Sequence, residues 1–394
     1  MNKSKLFISL LVYLLGTIFL LCSDFYVSKN FEKSAVADWA ALKSIIFVCG
    51  GICVFGFDQI LMRRPELVTR VIKNYLFQVI IFSLIISFFI TNFFIENLDF
   101  GFVALIIGLY AINQFWAATF RGDAKLIEAQ VFTNGWKIFA LLLLIIGINN
   151  FNYIYSVSFL IVLLLNSYFI FKFLKKYENV SNANESESLY KLGSFFLINN
   201  LSVTIATYGE QLLVNSFGDK SLSYNIFTYT LAFNSAMLLF AGFLGFYFGP
   251  KFKSIKNMSL DLYSKYLIKF ILFSIFLSFL SFILGALIFK FYLHESFNVL
   301  LAITCLIVGF VKIVYTIPSV CVALYCETND VKRISIFNLY NLAFFILGIV
   351  AVLHFSKNYL AFYIFIIIAL HWVIRFINTH LHVKHALREK NANT

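Results

Sequence analysis

The stretch DWAALKSIIFVCGGICVFGFDQILMRRPE, residues 38–66, decides the fold class, because it is a long apolar run that contains one lysine and ends in a cluster of charges. About 20 apolar residues are enough to cross a bilayer as a helix. On such a helix Lys43 lies ~12 Å inside the run that begins near Ala35, at ~1.5 Å per residue. A lysine at that depth needs an ion-pair partner, a water-filled cavity or an anionic cargo.

Similar apolar runs fill the rest of the chain. Of its 394 residues, 61% are hydrophobic and 13% charged, and the mean hydropathy is +0.87, which excludes a soluble globular protein. Three prolines, 50 phenylalanines and long Ile/Leu runs favour helices over the alternating segments of a membrane barrel. The sequence therefore predicts an all-α polytopic membrane protein.

Hydropathy predicts about twelve transmembrane helices, and the connections between them are too short for an extramembrane domain. The predicted spans are centred on residues 6–22, 35–57, 72–91, 101–119, 134–149, 153–174, 192–213, 223–248, 267–289, 298–324, 334–353 and 359–381. A polar segment after the sixth span divides them into two six-helix lobes, which we expect to surround a central cavity. The predicted parts are an N-terminal lobe (1–174), a cytoplasmic linker (175–190), a C-terminal lobe (191–381) and a cytoplasmic tail (382–394).

The distribution of basic residues predicts the orientation. Most of the 31 lysines and arginines fall in alternate connections and at the two termini, which predicts that both termini are cytoplasmic. The net charge of +12 does not indicate a nucleic-acid partner, because these residues are spread between apolar spans and form no single soluble basic face.

Signatures of enzymes and metal sites are absent from the sequence. The six cysteines lie mostly inside apolar runs without CxxC or Cys/His spacing, so we interpret them as packing residues. There is no GxxxxGK[ST], GxSxG or HExxH motif. We therefore predict a transporter, not an enzyme, with no metal and no cofactor; a polysaccharide polymerase or acyltransferase is disfavoured because the external loops are short and nearly uncharged.

Polar side chains at helical spacing inside the spans are the candidate substrate site. The tenth span has a stripe of small and polar residues along one helix face, which begins with Cys305, Gly309 and Lys312. Such stripes face other helices or a cavity, not lipid. The predicted cavity-lining residues are Lys43, Lys312, Asn199, Thr316, Ser319, Asn338, Asn341 and Arg375.

Each charged candidate has alternative interpretations that the sequence leaves open. Lys43 and Lys312 line a cavity, form buried ion pairs or mark a misplaced span edge. Glu210 is an interfacial residue, a partner for a buried lysine, or the group that couples transport to a proton or sodium gradient. Arg375 lines the cavity or extends to the cytoplasmic surface. Positive-inside topology or contact with lipid phosphates explains three cytoplasmic arginines, Arg63, Arg64 and Arg121.

Two motifs resemble those of a known family. The second span ends in Gly56-Phe57-Asp58 followed by Arg63 and Arg64, and the seventh ends in Glu210-x-Leu-Leu followed by Phe217-Gly218. Together with two halves of six spans, they resemble the Wzx-type polysaccharide flippases of the multidrug/oligosaccharidyl-lipid/polysaccharide (MOP) superfamily. The pair Glu210-Gln211 departs from that family's pattern of Asp followed by a base.

The resemblance implies a transporter of the bacterial cytoplasmic (inner) membrane. It would move undecaprenyl-diphosphate-linked oligosaccharide units by alternating access, for O-antigen or capsule assembly. The implied partners are the lipid-linked substrate, membrane lipids, a polysaccharide polymerase and a chain-length regulator, with an ion gradient as the energy source. A MATE-like drug or cation exporter and a lipid II flippase are the alternatives.

Overall fold

Helices form all the regular structure in the residues that the computed structural model describes, which are 3–95, 98–178, 189–253, 255, 258–326, 328–356 and 359–392. The chain divides into two compact units, Met1–Ser216 and Phe217–Thr394. The prediction of an all-α polytopic fold is confirmed.

The first unit contains nine α-helices. A single 3-10 turn precedes α4, and a π-helical turn, Ile90–Phe94, follows it. The helices are α1 (Lys3–Asn30), α2 (Lys33–Val54), α3 (Phe57–Arg63), α4 (Val68–Phe89), α5 (Phe100–Gly122), α6 (Leu126–Ile145), α7 (Phe151–Leu165), α8 (Ser167–Tyr177) and α9 (Leu189–Phe217).

The second unit contains the remaining six α-helices. The helices are α10 (Lys220–Tyr229), α11 (Ser235–Lys253), α12 (Leu260–Leu287), α13 (Val299–Tyr325), α14 (Thr328–Phe355) and α15 (Leu360–Ala392). Three of them adjoin π-helical turns: the turn Thr230–Asn234 joins α10 to α11, and the turn Ile288–Leu293 ends α12.

The helices account for the predicted spans. Nine helices in the described part of the chain are long and apolar enough to cross a membrane, and the pair α7–α8, bent by 52°, raises the number to ten. Two more helices, α6 with 20 residues and α9 with 29, lie where the fifth and seventh spans were predicted. Each predicted span therefore falls on a helix, a bent pair, or helices joined by a π-helical turn.

The first two spans end elsewhere than predicted. We expected the first to end near residue 22, but α1 continues through Asp24 to Asn30 because further apolar residues follow Asp24. The second span was predicted to run through residue 57, but its helix ends earlier. The helix α2 ends at Val54; Phe55 and Gly56 adopt left-handed conformations (φ 52° and 75°), and α3 begins as a separate helix.

The first compact unit extends to Ser216 and so includes nearly all of α9, which the predicted division assigned to the C-terminal lobe. Contacts with α2 and with the turn after it are consistent with this assignment. Phe47 of α2 stacks on Tyr208 with ring centroids 4.4 Å apart, and Gly56 in the turn lies against the Gly193 carbonyl oxygen. Residues 179–188 of the predicted linker lie outside the described residues. The division into lobes of six helices stays a prediction.

Close approach of α3 to α5 requires a glycine at position 122. A Cβ added to Gly122 would collide with the Leu61 carbonyl oxygen, a backbone atom that cannot rotate away. We expect Gly122→Ala to lower the free energy of unfolding by about 1–3 kcal/mol. Gly51→Ala is the matched control, because the nearest atom to its added Cβ is Thr204 Cγ2 at 3.9 Å. Equal unfolding free energies for both variants in detergent would contradict the close-packing argument.

Asp123 attaches α8 to the loop between α5 and α6. Its Oδ1 accepts hydrogen bonds from Lys176 Nζ at 2.6 Å and from the Tyr177 hydroxyl at 2.7 Å, and its Oδ2 lies 3.4 Å from Lys125 Nζ. Burial alone would raise the pKa of the Asp123 carboxyl, but these hydrogen bonds and the charges of Lys176 and Lys125 outweigh it and hold the pKa below its ordinary value.

A depressed pKa in the folded state makes this attachment pH-dependent. The stabilisation by Asp123 is fully present above the pKa that its carboxyl has in the unfolded chain, about 4. It is lost as the pH falls through the lower pKa that the carboxyl has in the folded state. We expect Asp123→Asn to unfold at a lower temperature than the native chain at pH 7, and the difference between the two unfolding temperatures to become smaller below about pH 4. Thermal unfolding in detergent across this pH range measures the difference. A difference that grows on acidification would contradict the assignment.

Candidate functional site

In the first unit, Lys43 forms a buried ion pair with Asp24. The Lys43 Nζ lies 2.7 Å from Asp24 Oδ2, and the Trp39 indole N–H donates to Asp24 Oδ1 at 2.8 Å. Trp39 is itself fully buried and stacks on Tyr155 with ring centroids 4.6 Å apart. The structure therefore shows the ion pair left open for Lys43, made between α1 and α2, and cavity lining by Lys43 stays a prediction.

A second lysine extends this cluster. Lys137 Nζ donates to Asn134 Oδ1 at 2.6 Å, and Asn134 Nδ2 donates to Gln130 Oε1 at 2.6 Å along α6. Lys137 interacts electrostatically with both Lys43 and Asp24. Two cations thus share the field of one buried carboxylate, which makes the charge of Asp24 essential to this part of the unit.

Glu210 is a second buried acidic residue of the first unit. It lies on α9 with 7% of its surface exposed, two residues after Tyr208, with which it interacts electrostatically. Of its open interpretations, an exposed interfacial position does not fit this burial. Its role as a coupling group stays a prediction.

In the second unit, Lys312 and Arg375 lie against the same indole ring. Lys312 Nζ is 5.1 Å from the centroid of Trp372, and the Arg375 guanidinium carbon is 5.8 Å from it. The Arg375 Nε also donates to the Tyr315 hydroxyl at 3.1 Å. Lys312 is 8% exposed and Arg375 1%, so both charges are buried and Arg375 does not reach out to the surface. Aromatic faces stabilise desolvated cations in such positions.

Polar groups on α14 and α15 adjoin this cluster. Asn341 Nδ2 donates to the His371 carbonyl oxygen at 3.0 Å, and His371 Nδ1 lies 3.2 Å from the Asn341 carbonyl oxygen. Asn338 is buried one turn before Asn341. Within the described residues, Asn338 Oδ1 and His371 Nε2 have no hydrogen-bond partner. Buried polar atoms of this kind require an explanation, and contact with a polar substrate supplies one.

The polar stripe of α13 serves two purposes. Its first part, Cys305 and Gly309, packs against Asn234 in the π-helical turn before α11. Asn234 Nδ2 donates to Cys305 Sγ at 3.2 Å, and a Cβ at Gly309 would collide with Asn234. Its later part begins at Lys312. Thr316 and Ser319 are half-buried, and the Thr316 hydroxyl donates to the Lys312 carbonyl oxygen at 3.3 Å in its own helix. The first part of the stripe therefore faces another helix, and cavity lining by Lys312, Thr316 and Ser319 stays a prediction.

The three arginines suggested as phosphate contacts are all exposed. The Arg63 guanidinium lies over the Phe196 ring at 4.7 Å, and Arg121 approaches the Met62 sulfur at 4.0 Å. Arg121 also interacts with Asp58, which lies between the spans at the start of α3. Burial raises the pKa of the Asp58 carboxyl above its ordinary value. Hydrogen bonds from Gln59 and the charge of Arg121 lower this pKa, but by less than burial raises it. Arg64 is exposed on the loop after α3.

Two further predictions concern Asn199 and metals. The side chain of Asn199 lies outside the described residues. In the described part of the chain, no group of three or more His, Cys, Asp or Glu side chains is arranged to hold a metal ion.

Sequence reasoning missed Asp24, Trp372 and Tyr315. Asp24 had a usable signal, since Phe25, Tyr26 and Val27 continue the apolar pattern beyond it and Lys43 required an acidic partner. Trp372 and Tyr315 had none, because single aromatic residues in apolar helices do not indicate which helix they contact.

The whole chain was compared with known protein families, curated protein sequences and solved structures. No protein-family model matches it, and neither does any curated protein sequence. Among solved structures, it is similar to an inward-facing multidrug resistance MATE family transporter of the MOP superfamily, with a TM-score of 0.62 and 13% identity over 98% of this chain and 99% of that one. The chain has the fold of the MATE transporters. That fold has 12 helices in two lobes, in agreement with the predicted architecture.

Two further MATE structures agree with this result. An outward-facing MATE transporter matches with a TM-score of 0.52 and 15% identity over 100% of this chain and 97% of that one. The MATE multidrug transporter DinF-BH in complex with rhodamine 6G matches with a TM-score of 0.54 and 15% identity over 97% and 95%. The MATE fold therefore extends from one end of this chain to the other.

Proposed function

We propose that this chain is an alternating-access transporter of the MOP superfamily, and that its substrate is an undecaprenyl-diphosphate-linked oligosaccharide moved across the cytoplasmic membrane for surface-polysaccharide assembly. The end-to-end MATE fold supports transport. The observation that carries the substrate class is the pair of buried cations, Lys312 and Arg375, against Trp372.

The chemistry of this pair suits a diphosphate. Burying a cation inside a membrane protein is costly, so buried cations in transporters commonly mark a substrate or ion pathway. Lysine and arginine form charge-assisted hydrogen bonds with phosphate oxygens, which are about twice as strong as neutral ones. The unpartnered Asn338 Oδ1 and His371 Nε2 nearby provide acceptors for sugar hydroxyl groups.

Export of drugs or organic cations is the second candidate, and the comparisons favour it. The similar structures are named as multidrug transporters, one of them in complex with rhodamine 6G. A cation exporter requires buried acidic groups, and the first unit offers Asp24 and Glu210. The two candidates differ in the sign of the charge that the substrate carries.

A pair of bacterial strains distinguishes the candidates. We expect the chain to restore surface polysaccharide in a strain that lacks its own repeat-unit flippase, and to leave rhodamine 6G resistance unchanged in a strain that lacks drug exporters. Raised drug resistance without restored polysaccharide would support the exporter. Because flippases differ in sugar preference, the first strain is tested with several repeat-unit structures, together with the source organism's own sugar genes.

Glu210 is the proposed coupling residue. A buried carboxylate that binds a proton or sodium ion links transport to an ion gradient. We expect Glu210→Gln to transport at a rate that no longer changes when the proton and sodium gradients are collapsed. The native chain should slow under the same conditions, and an equal slowing of both would exclude Glu210 from coupling.

A further inference from the structure

The helix α8 has the features of a helix at a membrane surface. It turns away from α7 by 52° at Asn166. One side chain, Phe173, is fully buried and packs edge-on against Phe120 with ring centroids 5.1 Å apart. Exposed aromatic residues among lysines are typical of a helix at the boundary between acyl chains and headgroups. The exposed aromatic side chains are Tyr168, Phe169 and Phe171.

The end of α8 meets the beginning of α4. The Thr69 hydroxyl on α4 donates to the Tyr177 carbonyl oxygen at 3.4 Å. Both helix ends carry exposed cations, and among the described residues none of these four forms an ion pair. We name them the α4–α8 basic surface: Arg70, Lys73, Lys172 and Lys175.

The hydrogen bonds of Asp123 hold this surface in place. Asp123 binds Lys176 and Tyr177 at the end of α8, so the charge of Lys176 is compensated. The neighbouring Lys172 and Lys175 stay exposed on the same helix. The cations are therefore presented on a fixed helix, which lowers the entropy lost when a ligand binds.

We propose that the α4–α8 basic surface binds the headgroups of anionic phospholipids in the adjacent leaflet. Four cations on two touching helix ends complement phosphate charge, and the exposed aromatic side chains place α8 at headgroup depth. Each lysine or arginine close to an anionic bilayer surface strengthens association by roughly fivefold. This surface shares no residue with the cluster at Lys312, so the proposal does not depend on the identity of the transported substrate.

Spin-labelled lipids test this proposal on the full-length protein. The protein is reconstituted in phosphatidylcholine vesicles with a trace of spin-labelled phosphatidylglycerol or phosphatidylcholine, and electron paramagnetic resonance gives the relative association of the two lipids. We expect the native chain to prefer phosphatidylglycerol, and added salt to weaken the preference. The double variants K172Q/K175Q and R70Q/K73Q should each lower it at least about threefold.

The matched control is K265Q/K269Q, which removes two exposed lysines from the first turns of α12. This variant should keep the native preference, and thermal unfolding in detergent checks that all variants are folded. Three results would overturn the proposal: no preference in the native chain, an unchanged preference in both α4–α8 variants, or an equal loss in the control. The last would mean that scattered basic residues, not this surface, attract the lipid.

Discussion

Replacing Asp24 by alanine is expected to lower the free energy of unfolding by about 3–5 kcal/mol, the range measured when one partner of a buried ion pair is removed. The reason is the charge left behind. Lys43 would lose its 2.7 Å partner, the Trp39 indole would lose its acceptor, and Lys137 would lose the compensating charge that it shares with Lys43. Unfolding of the native chain and the variant at increasing concentrations of a denaturing detergent measures this change in the free energy of unfolding.

Two further variants separate charge from packing. The double variant D24N/K43M removes both charges while keeping similar volumes, so it should recover most of the stability lost by Asp24→Ala. Asp261→Ala, at an exposed acidic residue in the first turn of α12, should cost at most about 1 kcal/mol. A double variant as unstable as Asp24→Ala would mean that the side chains matter for packing, not for charge.

Replacing Lys312 by alanine is expected to reduce transport by roughly 10- to 100-fold, the loss that corresponds to one hydrogen bond to a charged group. Lys312 is buried beside Trp372, and the proposed function assigns the contact with the substrate's phosphate charge to its ammonium group. Lys312→Arg should retain more activity than Lys312→Gln, because it keeps the positive charge. The transport activity of each variant is measured as the amount of surface polysaccharide that it restores, divided by the amount of the variant protein in the membrane.

The control for this prediction is Lys265→Ala, which removes an exposed lysine of the same unit. It should transport at the native rate. Full activity of Lys312→Ala at a normal protein level would remove Lys312 from the substrate site. Equal activities of the arginine and glutamine variants would mean that the charge of Lys312 is not what the substrate recognises.

The number and position of the helices could be predicted from the sequence because hydropathy is a local property, recorded in each stretch of about 20 residues. Helix ends could not. The turn at Phe55 and Gly56 packs against α9, whose Gly193 carbonyl oxygen occupies the space where a Cβ on Gly56 would lie. That contact joins residues far apart in the chain, so no local pattern predicts it.

The candidate site was predictable in part for the same reason. A lysine inside an apolar run is unusual wherever it occurs, so Lys43 and Lys312 could be selected without a structure. Their surroundings could not be. The sequence did not distinguish an ion pair at Lys43 from an aromatic environment at Lys312, because Asp24 and Trp372 come from other helices.

The measurement that tests the proposed function most directly is translocation by the purified protein in sealed vesicles. Vesicles carry either a fluorescent undecaprenyl-diphosphate oligosaccharide or rhodamine 6G, and a membrane-impermeant quencher or a dye-uptake signal reports movement. The proposal predicts movement of the lipid-linked oligosaccharide, loss of that movement in Lys312→Ala, and no transport of the dye. Transport of rhodamine 6G without movement of the oligosaccharide would contradict it and identify the chain as a cation exporter.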